Sequence, residues 1–327
     1  MSIDWTAVRN LIADKQRFVL TTHVRPDADA LGSELAMAAV LRSLGKQVRI
    51  INASATPNRL AFMDPDKEIL HLGEQVTEAD AGDADVHLVL DTSAWGQLAE
   101  MGRVFKKAAS TKIVIDHHVS SDSLGAYDFK DVTAEATGSL VFEAANAWGV
   151  PITTPMANAL WCAIATDTGW FRFPSTTHRT LVAAGQLMLA GAVPCELYRQ
   201  LYEQASIGRK KLAGRVLSRI KLEFQGRVGW TYVRFDDYAE TGSEPADTED
   251  MVNECLTIAG VEAAFITIEQ SNHQVKVSFR SRSHLDVASV AEKFNGGGHK
   301  QAAGAILPGP LTEAQQRALQ AIETLFP

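Results

Sequence analysis

Three apolar runs in the first half of the chain end alike: RFVLTTH closes on His23, VHLVLD on Asp91, and KIVIDHH on Asp116, His117 and His118. Short, mostly apolar runs of this kind suit strands covered on both faces. A fourth run, QVRIIN at 47–52, and helical patterns at about 29–44 and 96–108 are interleaved with them. Alternating strands and helices predict a parallel sheet with helices on both faces. In an open sheet of that type the C-terminal ends of the strands share one edge, where ligands bind, so the residues that close each run converge.

What converges is mostly acidic. The turn HVRPDAD holds His23, Asp27 and Asp29, and the stretch AIATDTGWFRF holds Asp167. One acid of the turn can cap the following helix, which leaves the other acid and His23 without a structural use. Two carboxylates about 4 Å apart repel by roughly 4 kcal/mol at an effective dielectric near 20, so several together need a divalent cation. Counting His23, Asp27, Asp29, Asp91, His117 and Asp167 gives too many ligands for one octahedral ion that also holds water and substrate. Two ions sharing a carboxylate fit that count. Carboxylates with imidazoles and no cysteine favour manganese or magnesium over structural zinc, with cobalt compatible. Such a pair, about 3.5–4 Å apart, binds a hydroxide nucleophile and offsets charge on a phosphoryl group, as in phosphatases and nucleases.

Composition bounds the remainder. A length of 327 residues predicts two domains. Residues 134–204 are mostly helical in pattern, with Pro151, Pro155, Pro174 and Pro194 as punctuation, and SIGRKKLAGRVLSRIKL reads as a helix between two lobes. Beyond it come a hairpin around Gln225 and Gly226, a helix near 247–258, strands AAFITIEQ and QVKVSFRS joined at Ser271 and Asn272, a helix near 286–294, the run NGGGHKQAAGA and a last helix from about Thr312. The division is therefore 1–195, a helical linker at 196–219, and a smaller α/β domain with a mixed sheet at 220–327. Cys162, Cys195 and Cys255 are too few and too scattered for a disulfide framework. No stretch is long and apolar enough to span a bilayer, and the N-terminal MSIDWTAVRNLIADKQ lacks the apolar core of a signal peptide, so a cytoplasmic location without a membrane partner is expected. The formal charge of −8 offers no general attraction to a long polyanion, and long-duplex binding is not expected.

The triplet Asp116-His117-His118 and the run Gly296-Gly297-Gly298-His299 together resemble the DHH phosphoesterase superfamily with its C-terminal DHH-associated domain, over almost the whole chain. Within it the chain looks most like the NrnA-type nanoRNases that also act as phosphatases on 3′-phosphoadenosine 5′-phosphate (pAp). The resemblance implies that His23 and Asp27 bind one manganese, that Asp29, His117 and Asp167 bind the other, and that Asp91 bridges both. It further implies that His118 contacts the scissile phosphate as acid or electrostatic stabiliser and that Asp116 orients its neighbours. A homodimer through the first lobe is plausible by the same analogy.

In the C-terminal half, consecutive glycines let backbone N–H groups approach a phosphate, and His299 adds a donor. Upstream, strand alternation in SFRSRS places Arg280 and Arg282 on one face, where arginine can clamp phosphate bidentately. The family analogy favours Arg280 and His299 as substrate contacts, followed by Arg282 and Ser278. His178, in PSTTHRT, is a further candidate, with Ser175 or Thr176 capping the next helix. Lys211, Arg215 and Arg219 recur every fourth residue and could form a substrate-attracting stripe. Trp170, Phe171 and Phe173 are expected in the core. These readings predict a two-lobed hydrolase that cleaves RNA of two to five nucleotides, or pAp, through a two-metal hydroxide mechanism. Hydrolysis of cyclic di-AMP or of linear dinucleotides (pApA, pGpG) would use the same ligands. A single-strand DNA exonuclease would need a longer basic channel, and a nucleotide sensor without turnover would not need the full ligand set.

Overall fold

Six strands, β1 Arg17–Thr21, β2 Gln47–Asn52, β3 Ile69–His71, β4 Val86–Leu90, β5 Thr111–Asp116 and β6 Tyr127–Lys130, form one parallel sheet in the order β3-β2-β1-β4-β5-β6. The computed structural model describes residues 3–282 and 285–326, with His299 described by its backbone alone. Two compact units divide the chain, Met1–Glu203 and Gln204–Pro327.

In the first unit the strand order reverses between β1 and β4, which pair in register from Phe18↔Val86 to Thr21↔Val89. Loops leave that point in opposite directions and open a crevice at the strand C-termini. Both faces are covered, as the unbroken apolar runs require. Phe18, Leu20, Leu88, Leu90, Ile113 and Ile115 face the helices Ala28–Ser43, Thr137–Ala147 and Thr154–Asp167. Val19, Val89 and Val114 belong to clusters on the opposite side with Met101, Val104 and Phe105 of the helix Trp95–Lys107.

Small residues let the helices close on one another. A Cβ built on Gly32 would lie 2.4 Å from the Ala159 carbonyl oxygen, and one on Gly138 would lie 2.5 Å from the Ala163 Cβ. Helix Thr154–Asp167 can therefore cross Ala28–Ser43 at backbone contact, bringing Asp167 to the end of the crevice. Trp170 and Phe171 pack partly buried against this core, whereas Phe173 is exposed, against expectation. It lies over Gly169, at whose α-carbon there is no room for a side chain beside the Phe173 ring. The helix His178–Leu189 is capped by Thr177, which exchanges hydrogen bonds with Thr180, rather than by Ser175 or Thr176.

The second unit carries a mixed sheet, β7 Lys221–Glu223, β8 Val228–Val233, β9 Ala263–Glu269, β10 Gln274–Ser281, β11 Gly297–His299 and β12 Ala302–Pro308, in the order β11-β12-β10-β9-β8-β7. Only β8 and β9 run parallel. The hairpin between β7 and β8 turns through Phe224, Gln225 and Gly226, all at positive φ. The glycine run is itself half of a hairpin, β11 with β12. In place of a helix at 247–258 there are a 3-10 turn, Pro245–Thr248, and a single helical turn, Asn253–Leu256; Asp250, at φ 63°, interrupts the helical path between them. The stretch 196–219 holds the end of the helix Pro194–Tyr202, in the first unit, and the helix Ile207–Ser218, whose Leu212 and Val216 join the core of the second.

Two of the three cations of the basic stripe have a structural employment. Arg215 and Arg219 both bind the buried carboxylate of Asp237, and Arg215 also binds Glu240. Together with the Arg234 backbone N–H they hold Asp237 at about 2, outweighing the burial that pushes it up. The guanidinium groups at 215 and 219 are thus paired within the second unit. Among the described residues, no single helix is long and apolar enough to cross a membrane.

Candidate metal centre

Just past β1, Thr22 donates its hydroxyl to the Leu90 carbonyl (2.8 Å) and its backbone N–H to Asn52 Oδ1 (3.2 Å), fastening the ends of β1, β2 and β4. His23 follows. Its Nδ1 stands 3.1 Å from the Val24 carbonyl, which can only accept, so Nδ1 carries the proton and Nε2 keeps its lone pair. That Nε2 lies 3.4 Å from Asp91 Oδ2 and 4.0 Å from Asp27 Oδ1. Asp27 is also the cap of helix Ala28–Ser43, accepting from the N–H groups of Asp29 and Ala30.

Asp29, in the first turn of that helix, is buried. Its two oxygens accept the backbone N–H groups of Thr137 and Gly138 at 2.8 Å each, at the N-terminus of helix Thr137–Ala147, and Ser33 donates a further bond. Asp91 leaves β4 at φ 63°, a costly conformation for a non-glycine residue, and takes the Thr137 hydroxyl at 2.8 Å. His117, one residue past β5, holds Nδ1 at 3.2 Å from the Ala134 carbonyl. Its Nε2 is again the free nitrogen, 3.5 Å from Asp91 Oδ1, 3.8 Å from Asp29 Oδ2 and 3.4 Å from Asp167 Oδ2.

Two triads result, His23-Asp27-Asp91 and Asp29-His117-Asp167, each with its ligand atoms within 4.8 Å of one another. The two oxygens of Asp91 face different triads. Ligands bound at about 2.1 Å to one ion stand about 3.0–3.4 Å apart for octahedral or tetrahedral angles, close to the shorter spacings here. Electrostatics agree: burial first, and then repulsion from neighbouring carboxylates, raises Asp29 and Asp91 above the carboxylate range and pushes Asp167 up to about 8. Such a cluster takes up either protons or cations. The donor set fits a pair of hard divalent ions.

His118 points elsewhere. Its Nδ1 donates to Asp116 Oδ1 at 2.8 Å, which leaves Nε2 unengaged on a side chain about half exposed; this bond, more than burial opposes it, raises the imidazole above its ordinary value. A third group, Asp91-His117-His118, overlaps the other two, so His118 stands at the rim of the cage. Asp116 is fully buried, yet hydrogen bonds from His118, Ser93 and Lys130 outweigh burial and hold it well below the usual carboxylate range. Thr137, Gly138, Ser93 and Lys130 were not anticipated, because their value lies in tertiary neighbours that no local pattern announces.

His178 is not part of this cluster. It is exposed at the start of its helix and lines a separate cavity of about 600 Å³ with Asp131, Glu135, Glu143 and Arg179. In the second unit, lateral register aligns Ser278 with Gly304 and Gly297, and Arg280 with Ala302 and position 299. Arg280 and Ser278 are half-buried on the face opposite Val277 and Phe279. Arg282 does not share that strand: β10 ends at Ser281, and the Arg282 guanidinium turns to the Leu256 carbonyl. Gly296 and Gly298 are required by the hairpin, since a Cβ would lie 2.2 Å from the Gly304 oxygen or 2.4 Å from the Ala302 oxygen. Gly297 faces open space. The His299 side chain lies outside the described residues.

Known proteins resemble the chain over nearly its whole length. The model of the DHH family N-terminal domain matches residues 17–164, and that of the DHHA1 domain matches residues 228–326. The bifunctional oligoribonuclease and PAP phosphatase NrnA of Thermus thermophilus is 32% identical over 306 residues, covering 93% of this chain and 88% of that protein. The protein of the same name from Bacillus subtilis is 28% identical over 311 residues, covering 94% of each. Among solved structures, an exopolyphosphatase-related protein from Bacteroides fragilis superposes with a TM-score of 0.91 at 27% identity, covering 98% of this chain and 95% of that one.

Proposed function

Since the chain belongs to the DHH family and carries its DHHA1 domain, we propose that it is a two-metal phosphoesterase that hydrolyses oligoribonucleotides of two to five nucleotides and pAp. The observation that carries this reading is Asp91, whose Oδ1 and Oδ2 face His117 and His23 respectively. His23, Asp27 and Asp91 would hold one ion, and Asp29, His117, Asp167 and Asp91 the other, with manganese as the preferred metal. When bound, the ions activate water and offset the charge that develops on the phosphoryl group.

The side chains divide the remaining work. The Val24 and Ala134 carbonyls fix the tautomers of His23 and His117 so that Nε2 is presented. The Thr137 and Gly138 N–H groups keep Asp29 in place. His118, its Nδ1 engaged by Asp116, offers Nε2 to the scissile phosphate or to the leaving oxygen, as donor in its protonated form. In the second unit, Arg280 and Ser278, the backbone beside Gly297 and the residue at 299 are assigned to binding a substrate phosphate. A net charge of −8 supports short substrates over long single strands.

Turnover of a panel tests the assignment: pAp, pGpG, a five-residue RNA, cyclic di-AMP and long single-stranded DNA, each with manganese-loaded protein. Phosphate release from pAp and mononucleotide release from the short RNA are expected, with long DNA left intact. Activity confined to cyclic di-AMP would overturn the substrate assignment, and a wholly inactive panel would overturn the reading itself.

A further inference from the structure

Lys130 ends the edge strand β6, where a lysine ordinarily reaches into solvent and blunts the strand edge. Here it turns inward, with its side chain only 15% exposed. Its ammonium has three protons and meets three acceptors: Ser93 Oγ at 2.7 Å, the Ser120 carbonyl at 2.9 Å and Asp116 Oδ2 at 3.0 Å. The acceptors belong to three segments, the loop two residues past Asp91, the last residue of β5, and the loop two residues past His118.

We propose that Lys130 is a positioning residue for His118, acting through Asp116. The carboxylate is divided between two duties. Oδ2 receives Lys130 and the Ser93 hydroxyl (2.7 Å), while Oδ1 receives the His118 backbone N–H (3.1 Å) and Nδ1 (2.8 Å). Holding Oδ2 from behind prevents the carboxylate from rotating, and a carboxylate that cannot rotate fixes the plane of the imidazole bonded to Oδ1. The same ammonium pins Ser120, so the chain on the far side of His118 is anchored too. His118 is half-exposed at the rim of the site; its ring meets His117 edge-on at 4.5 Å, and among the described residues the Asp116 bond is the hydrogen bond that holds its Nδ1.

This inference rests on the phosphoesterase reading, and its test separates the two. Steady-state hydrolysis of pAp would be compared for the manganese-loaded full chain, Lys130→Met, Lys130→Arg, His118→Ala and the double variant Lys130→Met/His118→Ala. Loss of a residue that orients a functional group typically lowers activity about 10- to 100-fold. Lys130→Met is therefore expected to lose kcat on that scale, with KM and manganese stoichiometry unchanged, and Lys130→Arg to recover part of the loss. In the His118→Ala background the Lys130→Met change should cost nothing further, because the group it positions is gone. An unchanged kcat for Lys130→Met, or an equal loss in both backgrounds, would overturn the inference, the latter by making Lys130 a general staple of the fold. Should Lys130→Met not fold, Lys130→Gln, which keeps a donor on a shorter stem, takes its place in the same cycle. An inactive parent would overturn the phosphoesterase reading and this inference with it, whereas an active parent with an undiminished Lys130→Met overturns this inference alone.

Discussion

The Nδ1 of His118 lies 2.8 Å from Oδ1 of Asp116, a carboxylate withdrawn from solvent at the end of β5. A charged pair so placed has a direction: the proton on Nδ1 is fixed, and Nε2 alone is left for chemistry. His118→Ala is expected to lower kcat about 10²- to 10⁴-fold, the usual range for a lost acid–base group, while both metals remain bound. Steady-state kinetics on pAp beside elemental analysis checks it; retained activity would remove His118 from the mechanism.

Asp91→Asn is expected to weaken both ions, because each triad loses an oxygen. Asp167→Asn is expected to weaken one, since Asp167 faces His117 in the triad with Asp29 while His23 belongs to the other triad. Titration calorimetry with manganese distinguishes one lost site from two. Equal stoichiometry for the two variants would mean that Asp91 does not bridge.

The metal-free protein should lose stability as pH rises. Asp167 keeps its proton up to about 8, and burial also raises Asp29 and Asp91, whereas an aspartate in the unfolded chain releases its proton near pH 4. Between about pH 4 and 8 the folded chain therefore binds more protons than the unfolded one, and stability falls through that window. Manganese replaces those protons, so its stabilising effect should grow with pH; at 100 times Kd one site adds about 2.7 kcal/mol. Calorimetric melting at pH 5 and pH 8, with EDTA or with manganese, measures both trends. An identical manganese shift at the two pH values would contradict them.

Glu34→Gln is expected to stabilise the protein at neutral pH. Glu34 is completely buried on helix Ala28–Ser43, accepts from Asn52 Nδ2 at 2.8 Å, and is pushed by burial to about 8. The unfolded chain gives up that proton from about pH 4.5, so the wild-type residue opposes folding increasingly up to about pH 8, on the order of 3 kcal/mol at pH 7. Glutamine keeps an acceptor for Asn52 without the proton. Urea unfolding of the two proteins should diverge at pH 7 and coincide near pH 4; a constant difference would rule out the titration as its cause.

Much of this was legible in residue order because the central strands and the ligands share a cause. β1, β4 and β5 are buried on both faces, which demands unbroken apolar runs, and the ligands follow where those runs stop. The edge strands β3 and β6 were missed: at three and four residues, with His71, Asp128 and Lys130 among them, they are too short and too polar to show a period. Arg215 and Arg219 misled because helical spacing reports a shared face but not what meets it, and the meeting residue, Asp237, comes from a later helix. Arg282 misled because alternation assumes that the strand continues, and β10 stops one residue earlier.

The absence of a side chain at Gly32 also bears on how closely two of the ligands approach. Helices Ala28–Ser43 and Thr154–Asp167 meet backbone to side chain-free backbone there, leaving less room than one methyl group between them. Asp29 and Asp167 are mounted on these two rods, so the gap between them is set by main-chain contact and not by rotamers that could swing apart. A methyl at position 32 would push the rods apart, and with them the two carboxylates that face His117. The reach of that triad is in this sense written into a missing methyl.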